Sequence, residues 1–507
     1  MIDSKKITAA LISVYHKTGL QELAMALHQA GITIYATGGT QVFLEGLNVP
    51  VVAVDSVTQF PEVLGGRVKT LHPKIFGGIL HRRSFESDLA EVVTHQIPTI
   101  DMVVVDLYPF EQTVANGGTE NDIIEKIDVG GVSLIRAAAK NFNDVLIIPA
   151  VEHYPAAMQI LNAQQASSTL AQRRDLAKHA FTTTANYDAA IQQYFLDGTS
   201  KSIPAVHAHE TGLRYGENPH QKAVFRGKLD DTVLQLHGKD ISYNNLLDID
   251  AAIQLIAEFD ETTFAILKHN NACGIASRST VAAAYQAALA CDPTSAFGGV
   301  LITNATIEHD AAALINDLFC EVVIAPHFTE DALQLLKSKK NRILLVAKKT
   351  TPINKLIRSV LNGWLEQDRD STMATTHDWK LATVMHPNSK QTDDLLFANK
   401  IVKHTKSNTI VLAANKTLVA SGTGQTSRVD ALQQAISKAK FFNFDLQQAV
   451  MASDAFFPFP DCVQIAHHAG IKAVIQPGGS IKDQESIDYC NAHQMSMVIT
   501  GIRHFKH

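Results

Sequence analysis

Ile32-Thr33-Ile34-Tyr35-Ala36-Thr37-Gly38-Gly39-Thr40 decides the fold class of this 507-residue chain. Its first five residues, mostly β-branched or aromatic, read as a strand, and Thr37-Gly38-Gly39-Thr40 ends that strand before a helical segment. Outward from it the alternation repeats. Ile7 to Val14 is a short apolar run, Leu20, Leu23, Ala24 and Leu27 recur at helical spacing, and Gly31 stops that helix. Val51 to Val54, Met102 to Leu107 and Val145 to Ile148 supply further strands. Strands separated by helices imply an α/β fold, a parallel sheet covered on both faces with ligands at the strands' carboxyl ends. Thr37 to Thr40 falls at such an end and at a helix N-terminus, where free N–H groups attract anions. The same string also reads as an ordinary capped turn.

A second glycine-rich stretch is more specific. Gly65-Gly66-Arg67-Val68-Lys69-Thr70-Leu71-His72-Pro73 is closed by Gly77-Gly78-Ile79-Leu80. Glycines let the backbone approach a ligand or take up positive φ, while guanidinium and ammonium groups suit a phosphate. The bare motif, taken alone, reads more readily as a glycine turn with two solvated cations.

Composition narrows the class. Charged residues make up 19% of the chain and the net charge is -6, as in a compact globular protein without the basic excess of a nucleic-acid binder. Cys273, Cys291, Cys320, Cys462 and Cys490 are scattered and form no CxxC pair, which suits reduced thiols in the cytoplasm. Met1 leads straight into a strand-like run with no signal peptide, and no apolar segment reaches the roughly 18 residues of a membrane span. The expectation is a cytoplasmic protein that binds neither membrane nor nucleic acid.

A seam falls at Asp197-Gly198-Thr199-Ser200-Lys201-Ser202-Ile203-Pro204. It predicts a domain over 1–197, a linker over 198–205 and a larger domain over 206–507. In the latter, Phe264 to Leu267, Val300 to Thr303, Val322 to Ala325 and Ile343 to Val346 read as strands. Ile410 to Ala413 and Leu418 to Ser421, joined through Asn415-Lys416, read as a hairpin. Ala473 to Ile475 runs into Pro477-Gly478-Gly479-Ser480, a second strand–glycine–helix anion site. Residues 264–330 and 449–500 share a layout that suggests two related halves. Lys337 to Arg342 is a basic run expected to be solvated.

Lys268-His269-Asn270-Asn271 follows a buried strand and carries the chemistry of this domain. Histidine is readily tuned as a base near neutral pH and lysine stabilises developing negative charge, although one histidine after a strand is commonly structural. Together with Arg214-Tyr215-Gly216-Glu217-Asn218-Pro219, Ser295-Ala296-Phe297-Gly298-Gly299, Gly424-Gln425-Thr426-Ser427-Arg428, Ser453-Asp454-Ala455-Phe456-Phe457-Pro458-Phe459 and Arg503, the motifs resemble, in order, those of the PurH family. Members of that family combine phosphoribosylaminoimidazolecarboxamide (AICAR) formyltransferase with IMP cyclohydrolase. The resemblance runs from Ser13-Val14 to Arg503.

It implies a methylglyoxal-synthase-like parallel-sheet domain followed by a duplicated cytidine-deaminase-like α/β domain. It implies a homodimer with transformylase sites built across the interface. It implies 10-formyltetrahydrofolate as co-substrate, AICAR, FAICAR and IMP as the other ligands, and no required metal. Carried over by position, Ser13, Lys17, Thr37, Gly38, Gly39, Thr40, Arg67 and Thr70 would hold the nucleotide in the first domain, with Lys69, Tyr108, Asp128 and Lys140 around the reacting groups. In the second, Arg214, Tyr215, Lys268, His269, Gly298, Asn408, Arg428, Phe456 and Arg503 would face the aminoimidazole nucleotide, and Asp461 and Gly479 would lie near the folate. His269 is the expected base, Lys268 the acid and electrostatic stabiliser, and Asn270 or Asn271 an oxyanion donor.

Four departures stand out. Tyr15-His16 replaces a Ser-Asp-type pair, Asp106 replaces the usual Asn, Ala272 replaces a proline and Phe76 a common histidine. The first suggests a rebuilt phosphate loop, and the third a looser turn under His269. Both activities are expected to survive, with the cyclohydrolase the more altered. Two other classes compete. A zinc deaminase or hydrolase would need His-x-Glu with Pro-Cys-x-x-Cys, and no CxxC occurs. A nucleotide-sensing regulator would need the anion grip without the proton-transfer groups.

Overall fold

Four of the five residues of strand β1 (Ala9–Ser13) are buried, as the apolar run requires. In the computed structural model, which describes residues 4–196, 210–348 and 354–507, the chain divides into two units, Met1–Ala208 and His209–His507. The expected linker over 198–205 lies outside the described residues.

In the first unit β1 leads through α1 (Leu20–Gln29) to β2 (Thr33–Ala36) and α2 (Gly38–Gly46), then to β3 (Val52–Ala53). Helix α3 (Pro73–Leu80) and β4 (Met102–Val105) follow, then α4 (Gly130–Lys140), β5 (Leu146–Ile148) and the long α5 (Leu170–Phe195). The five strands form one sheet in the order β3-β2-β1-β4-β5, every neighbouring pair parallel. Strand β3 is shorter than Val51 to Val54 because Val54 opens a helical turn, Val54–Thr58.

The second unit holds two six-stranded sheets of one design. The first comprises β6 (Val233–His237), β7 (Thr263–Lys268), β8 (Asn271–Ser277), β9 (Val300–Thr303), β10 (Val322–Ala325) and β11 (Ile343–Ala347). Helix α6 (Tyr243–Ile256) precedes β7 and α7 (Val281–Cys291) follows β8. The second comprises β12 (Lys380–Leu381), β13 (Ile410–Ala413), β14 (Leu418–Gly422), β15 (Val450–Ser453), β16 (Ala473–Gln476) and β17 (Ser496–Ile499). Here α8 (Ser389–His404) precedes β13 and α9 (Arg428–Phe441) follows β14.

Strand orders are β6-β11-β10-β9-β7-β8 and β12-β17-β16-β15-β13-β14, and corresponding pairs share their parallel or antiparallel sense. The duplication therefore starts at β6 and β12, each followed by its helix, α6 or α8. The expectation of halves at 264–330 and 449–500 paired unequal portions of the two copies, since β15 to β17 match β9 to β11. Side chains of α6, α8 and the facing sides of both sheets make one core, while α7 and α9 complete separate cores on the outer sides. The edge strands β8 and β14 approach through a bridge between Ala276 and Thr417. Arg342, expected to be solvated, is buried and donates to Asn316 Oδ1 at 2.9 Å and the Leu318 carbonyl at 3.2 Å.

Two candidate active sites

A cavity of about 830 Å³ opens at the carboxyl ends of β1, β2 and β4. Ser13, Lys17, Thr37, Gly39, Thr40, Arg67, Lys69, Thr70, Tyr108 and Asp128 all line it. Gly38 stands at its margin, where a Cβ would approach Lys69 Nζ to 3.4 Å. The glycine stretch is needed for its backbone, since Gly65 and Gly66 have φ of 67° and 83°. Lys69 Nζ is 3.8 Å from Glu62 Oε2, and Arg67 is paired with Glu125.

Not every expected phosphate ligand is free. Lys17 Nζ donates to the carbonyls of Val14 at 2.5 Å and Tyr15 at 3.3 Å, and burial lowers its pKa. Thr40 Oγ1 donates to the Val14 carbonyl at 2.9 Å and accepts from the Val14 amide at 3.2 Å. Both residues shape the Ser13–Lys17 loop.

The residues expected to move protons, Tyr108 and Asp128, are half-buried. Asp128 Oδ1 accepts from the Gly131 amide at 2.7 Å, and a Cβ at Gly131 would stand 2.5 Å from Oδ2 and push the carboxylate from this position. The Asp128 amide donates to Tyr187 Oη at 2.9 Å, which donates to the Lys126 carbonyl at 2.6 Å. Burial raises the Asp128 pKa above the usual aspartate value, against the N–H groups of Gly131 and Tyr108. Burial also raises that of Tyr108, helped by the Asp128 charge, which keeps the phenol a hydrogen donor. Lys126, absent from the sequence-based candidates, places Nζ 5.2 Å from the Tyr15 ring and 5.7 Å from the Tyr108 ring.

Lys140 is not brought to this cavity. It ends α4, which Gly130 begins, about 15 Å along the axis from Asp128, and its exposed side chain does not line this cavity. There it compensates the carbonyl end of the helix. Motif spacing does not reveal this, because it carries no record of which end of a helix meets the ligand.

In the second unit a cavity of about 240 Å³ lies where the two sheets meet, lined by Lys268, His269, Asn271 and Ser295 of one copy and Ser421, Thr423, Gln434 and Lys438 of the other. His269 and Asn270 form the two-residue turn between β7 and β8, with φ of 52° and 65°, the signature of a type I′ hairpin. The Asn270 amide donates to Asp248 Oδ1 at 2.6 Å. Burial raises the Asp248 pKa, opposed by that bond and the nearby His269. Asn271 Nδ2 donates to the His269 carbonyl at 2.8 Å and its Oδ1 accepts from the Lys406 amide at 3.0 Å. These bonds fix the turn that Ala272, lacking a proline ring, was expected to loosen. Lys268 Nζ donates to the Phe297 carbonyl at 2.7 Å, and Lys438 pairs with Asp292 at 2.5 Å.

Asn270 and the remaining expected residues lie outside this lining. Arg428 pairs with Asp454 at 3.1 Å, and the guanidinium groups of Arg428 and Arg503 stand 5.6 and 4.4 Å from the Phe505 ring. Asn408 Nδ2 holds the Gln425 and Thr426 carbonyls at 3.1 and 3.2 Å. Gly298, at φ 73°, donates to the Phe319 carbonyl at 2.7 Å. Arg214 packs 5.4 Å from the Tyr215 ring, Phe456 is partly exposed, and Asp461 begins the helix Asp461–His468. The expected anion site at Gly479 is already filled: Asp483 Oδ2 accepts from the amides of Gly479 at 2.7 Å and Ser480 at 3.1 Å. Asp248, Gln434, Lys438 and Asp292 escaped the sequence reading. For Asp248 a signal existed, six residues after the helix cap Ser242, as Asp394 follows Asn388.

Among the described residues, no three His, Cys, Asp or Glu side chains gather as a metal ion would need, and no helix is long and apolar enough to cross a membrane. Residues 138–438 match the model of the AICARFT/IMPCHase bienzyme family, and residues 19–133 match that of the MGS-like domain. A protein of Bacteroides thetaiotaomicron named bifunctional purine biosynthesis protein PurH is 58% identical over 507 residues, covering 100% of both chains. One of the same name from Aquifex aeolicus is 46% identical over 512 residues, covering 98% of this chain and 100% of its own. A solved structure titled "Crystal structure of ForH" is 33% identical, covers 37% of this chain and 99% of its own, and has a TM-score of 0.33, too low to carry an argument. The chain belongs to the AICARFT/IMPCHase bienzyme family, with an MGS-like domain at its N-terminal end.

Proposed function

We propose that the chain makes IMP in two steps, formyl transfer in the second unit and ring closure in the first. The amine of AICAR attacks the formyl carbon of 10-formyltetrahydrofolate, a C–N bond forms, and the bond from that carbon to the folate nitrogen breaks. His269 takes the amine proton, while Lys268 stabilises the tetrahedral oxyanion and protonates the departing nitrogen. In ring closure the carboxamide nitrogen of FAICAR attacks its own formyl carbon. The formyl oxygen leaves as water, with one proton from the carboxamide and one from the formamido nitrogen. Lys69 and the neutral Tyr108 phenol polarise that oxygen and Asp128 moves the protons. Holding the substrate folded supplies much of the rate, since intramolecular proximity is worth up to about 7–11 kcal/mol.

The observation that carries this reading is the lodging of Lys69, Tyr108 and Asp128 in one cavity and of Lys268 and His269 in another, in separate units. The residues of 1–197 and 206–507 are assigned to the two activities accordingly. A cytoplasmic homodimer is part of the proposal. Arg214, Tyr215 and Lys140 line neither cavity of their own chain, and sites completed by a second copy would give them a task. The test is to incubate the protein with AICAR and 10-formyltetrahydrofolate and follow tetrahydrofolate and IMP. Both are expected; release of neither overturns the proposal, and tetrahydrofolate without IMP removes ring closure from it.

A further inference from the structure

Asp106 follows β4 and lines the first cavity, yet its side chain is only 7% exposed. An uncompensated carboxylate there opposes any phosphate-bearing ligand. Its surroundings show the compensation. Asp106 Oδ1 accepts from the Tyr15 amide, and Oδ2 accepts from the His16 amide at 2.9 Å and from His16 Nδ1 at 2.8 Å. All three donors belong to the loop between β1 and α1, whose Ser13, Val14, Tyr15 and Lys17 line the cavity. Tyr15, turned by this arrangement, sets its ring edge-on to Tyr108, centroids 5.4 Å apart. The contact links the loop to a proton-transfer group.

His16 and Asp106, two separate oddities in the sequence, thus form one hydrogen-bonded unit, with the donor at 16 and the acid at 106. We propose that His16, acting through Asp106, is a positioning residue that holds the Ser13–Lys17 loop in the shape that receives the anionic group of the nucleotide. This rests on the ring-closure reading above.

The test is a double-substitution cycle with supplied FAICAR, reading KM and kcat separately and using formyl transfer by the other unit as the control for folding. Asp106→Asn is expected to raise KM about tenfold and His16→Asp, which sets two carboxylates together, about a hundredfold, both with kcat within about twofold. His16→Asp combined with Asp106→Asn restores the bond in its other polarity, and KM returns to within about threefold of the parent. A double variant no better than His16→Asp overturns the inference, as do single variants that leave KM unchanged or lower kcat alone. If the parent closes no ring, the earlier reading fails by itself. Calorimetric binding of a purine nucleoside 5′-monophosphate then decides: the same ranking of affinities supports the pair, and no ranking, or no binding by the parent, overturns it.

Discussion

The β7–β8 turn and the β13–β14 turn are one structure put to two uses. Each is a two-residue hairpin with both central φ angles positive, 52° and 65° at His269 and Asn270, 52° and 48° at Asn415 and Lys416. Each rests on an aspartate at the same place in the preceding helix, Asp248 in α6 and Asp394 in α8. Asp394 is 2% exposed and accepts two amides, from Asn415 at 2.9 Å and Lys416 at 2.6 Å, whereas Asp248 is half-buried and takes one. The second turn is also covered: Arg278 donates to the Asn415 carbonyl at 2.9 Å and to Thr417 Oγ1 at 2.7 Å, and the Ser277 amide to the Lys416 carbonyl at 3.0 Å. One copy spends its turn on joining the halves. The other leaves His269 on a cavity wall, so that in a duplicated scaffold one loop carries the packing and its counterpart stays open to a ligand.

The sharpest break between the copies is chemical. His269→Ala is expected to lower formyl transfer about 10³-fold while ring closure of supplied FAICAR is unchanged, and Lys416→Asn to leave both within about twofold. Equal losses in a two-product assay would erase the distinction. Next in size is the tie between the two helices. Glu258, just beyond α6, accepts at Oε1 from Lys403 Nζ at 2.8 Å and His404 Nε2 at 2.9 Å, both near the end of α8. Burial works to raise the Glu258 pKa, but these donors prevail and lower it from its ordinary 4.5 to about 2. A depressed carboxyl contributes stability that is present above the ordinary value and is lost as pH falls toward the lowered one. Urea unfolding should show Glu258→Gln less stable by about 3 kcal/mol at pH 7, because Lys403 is left buried and unpaired. Between pH 4.5 and about 2 the parent should lose this advantage and the two curves converge; curves that stay parallel would count against the assignment.

The smallest effects separate the two aspartates. Asp394→Asn leaves one of two buried amides without an acceptor, an expected cost of about 2 kcal/mol in unfolding free energy with transfer per folded molecule unchanged. Asp248→Asn should do the reverse, slowing transfer about tenfold through a less firmly held His269 while costing under about 1 kcal/mol of stability. Matching profiles for the two variants would mean that the turns are not differentiated as described.

Local features were legible in the sequence and relations between distant elements were not. Strands such as Met102–Val105 announce themselves by branched apolar runs, and Gly65-Gly66 by a backbone that other residues avoid. Thr37 to Thr40 followed from one rule, that ligands gather at the carboxyl ends of parallel strands, whereas Ser13, Lys17, Tyr108 and Asp128 were expected only from the family resemblance. What motif spacing does not show is that a helix length separates Lys140 from Asp128, or that an acid four residues after Gly479 accepts from its amide. The duplication was seen only in part, since strand order is a matter of hydrogen bonding between segments far apart in sequence. Asp106 was flagged for its charge, but its meaning required knowing that His16 stands 2.8 Å away.

The bridge between Ala276 and Thr417 bears on what one copy could do without the other. With the wall holding Lys268 and His269 in one copy and the wall holding Thr423, Gln434 and Lys438 in the other, a single copy has half a vessel. A copy standing alone would offer its hairpin to open water. The chamber exists only where two copies meet, and a chain severed between them should regain formyl transfer only when its fragments are mixed.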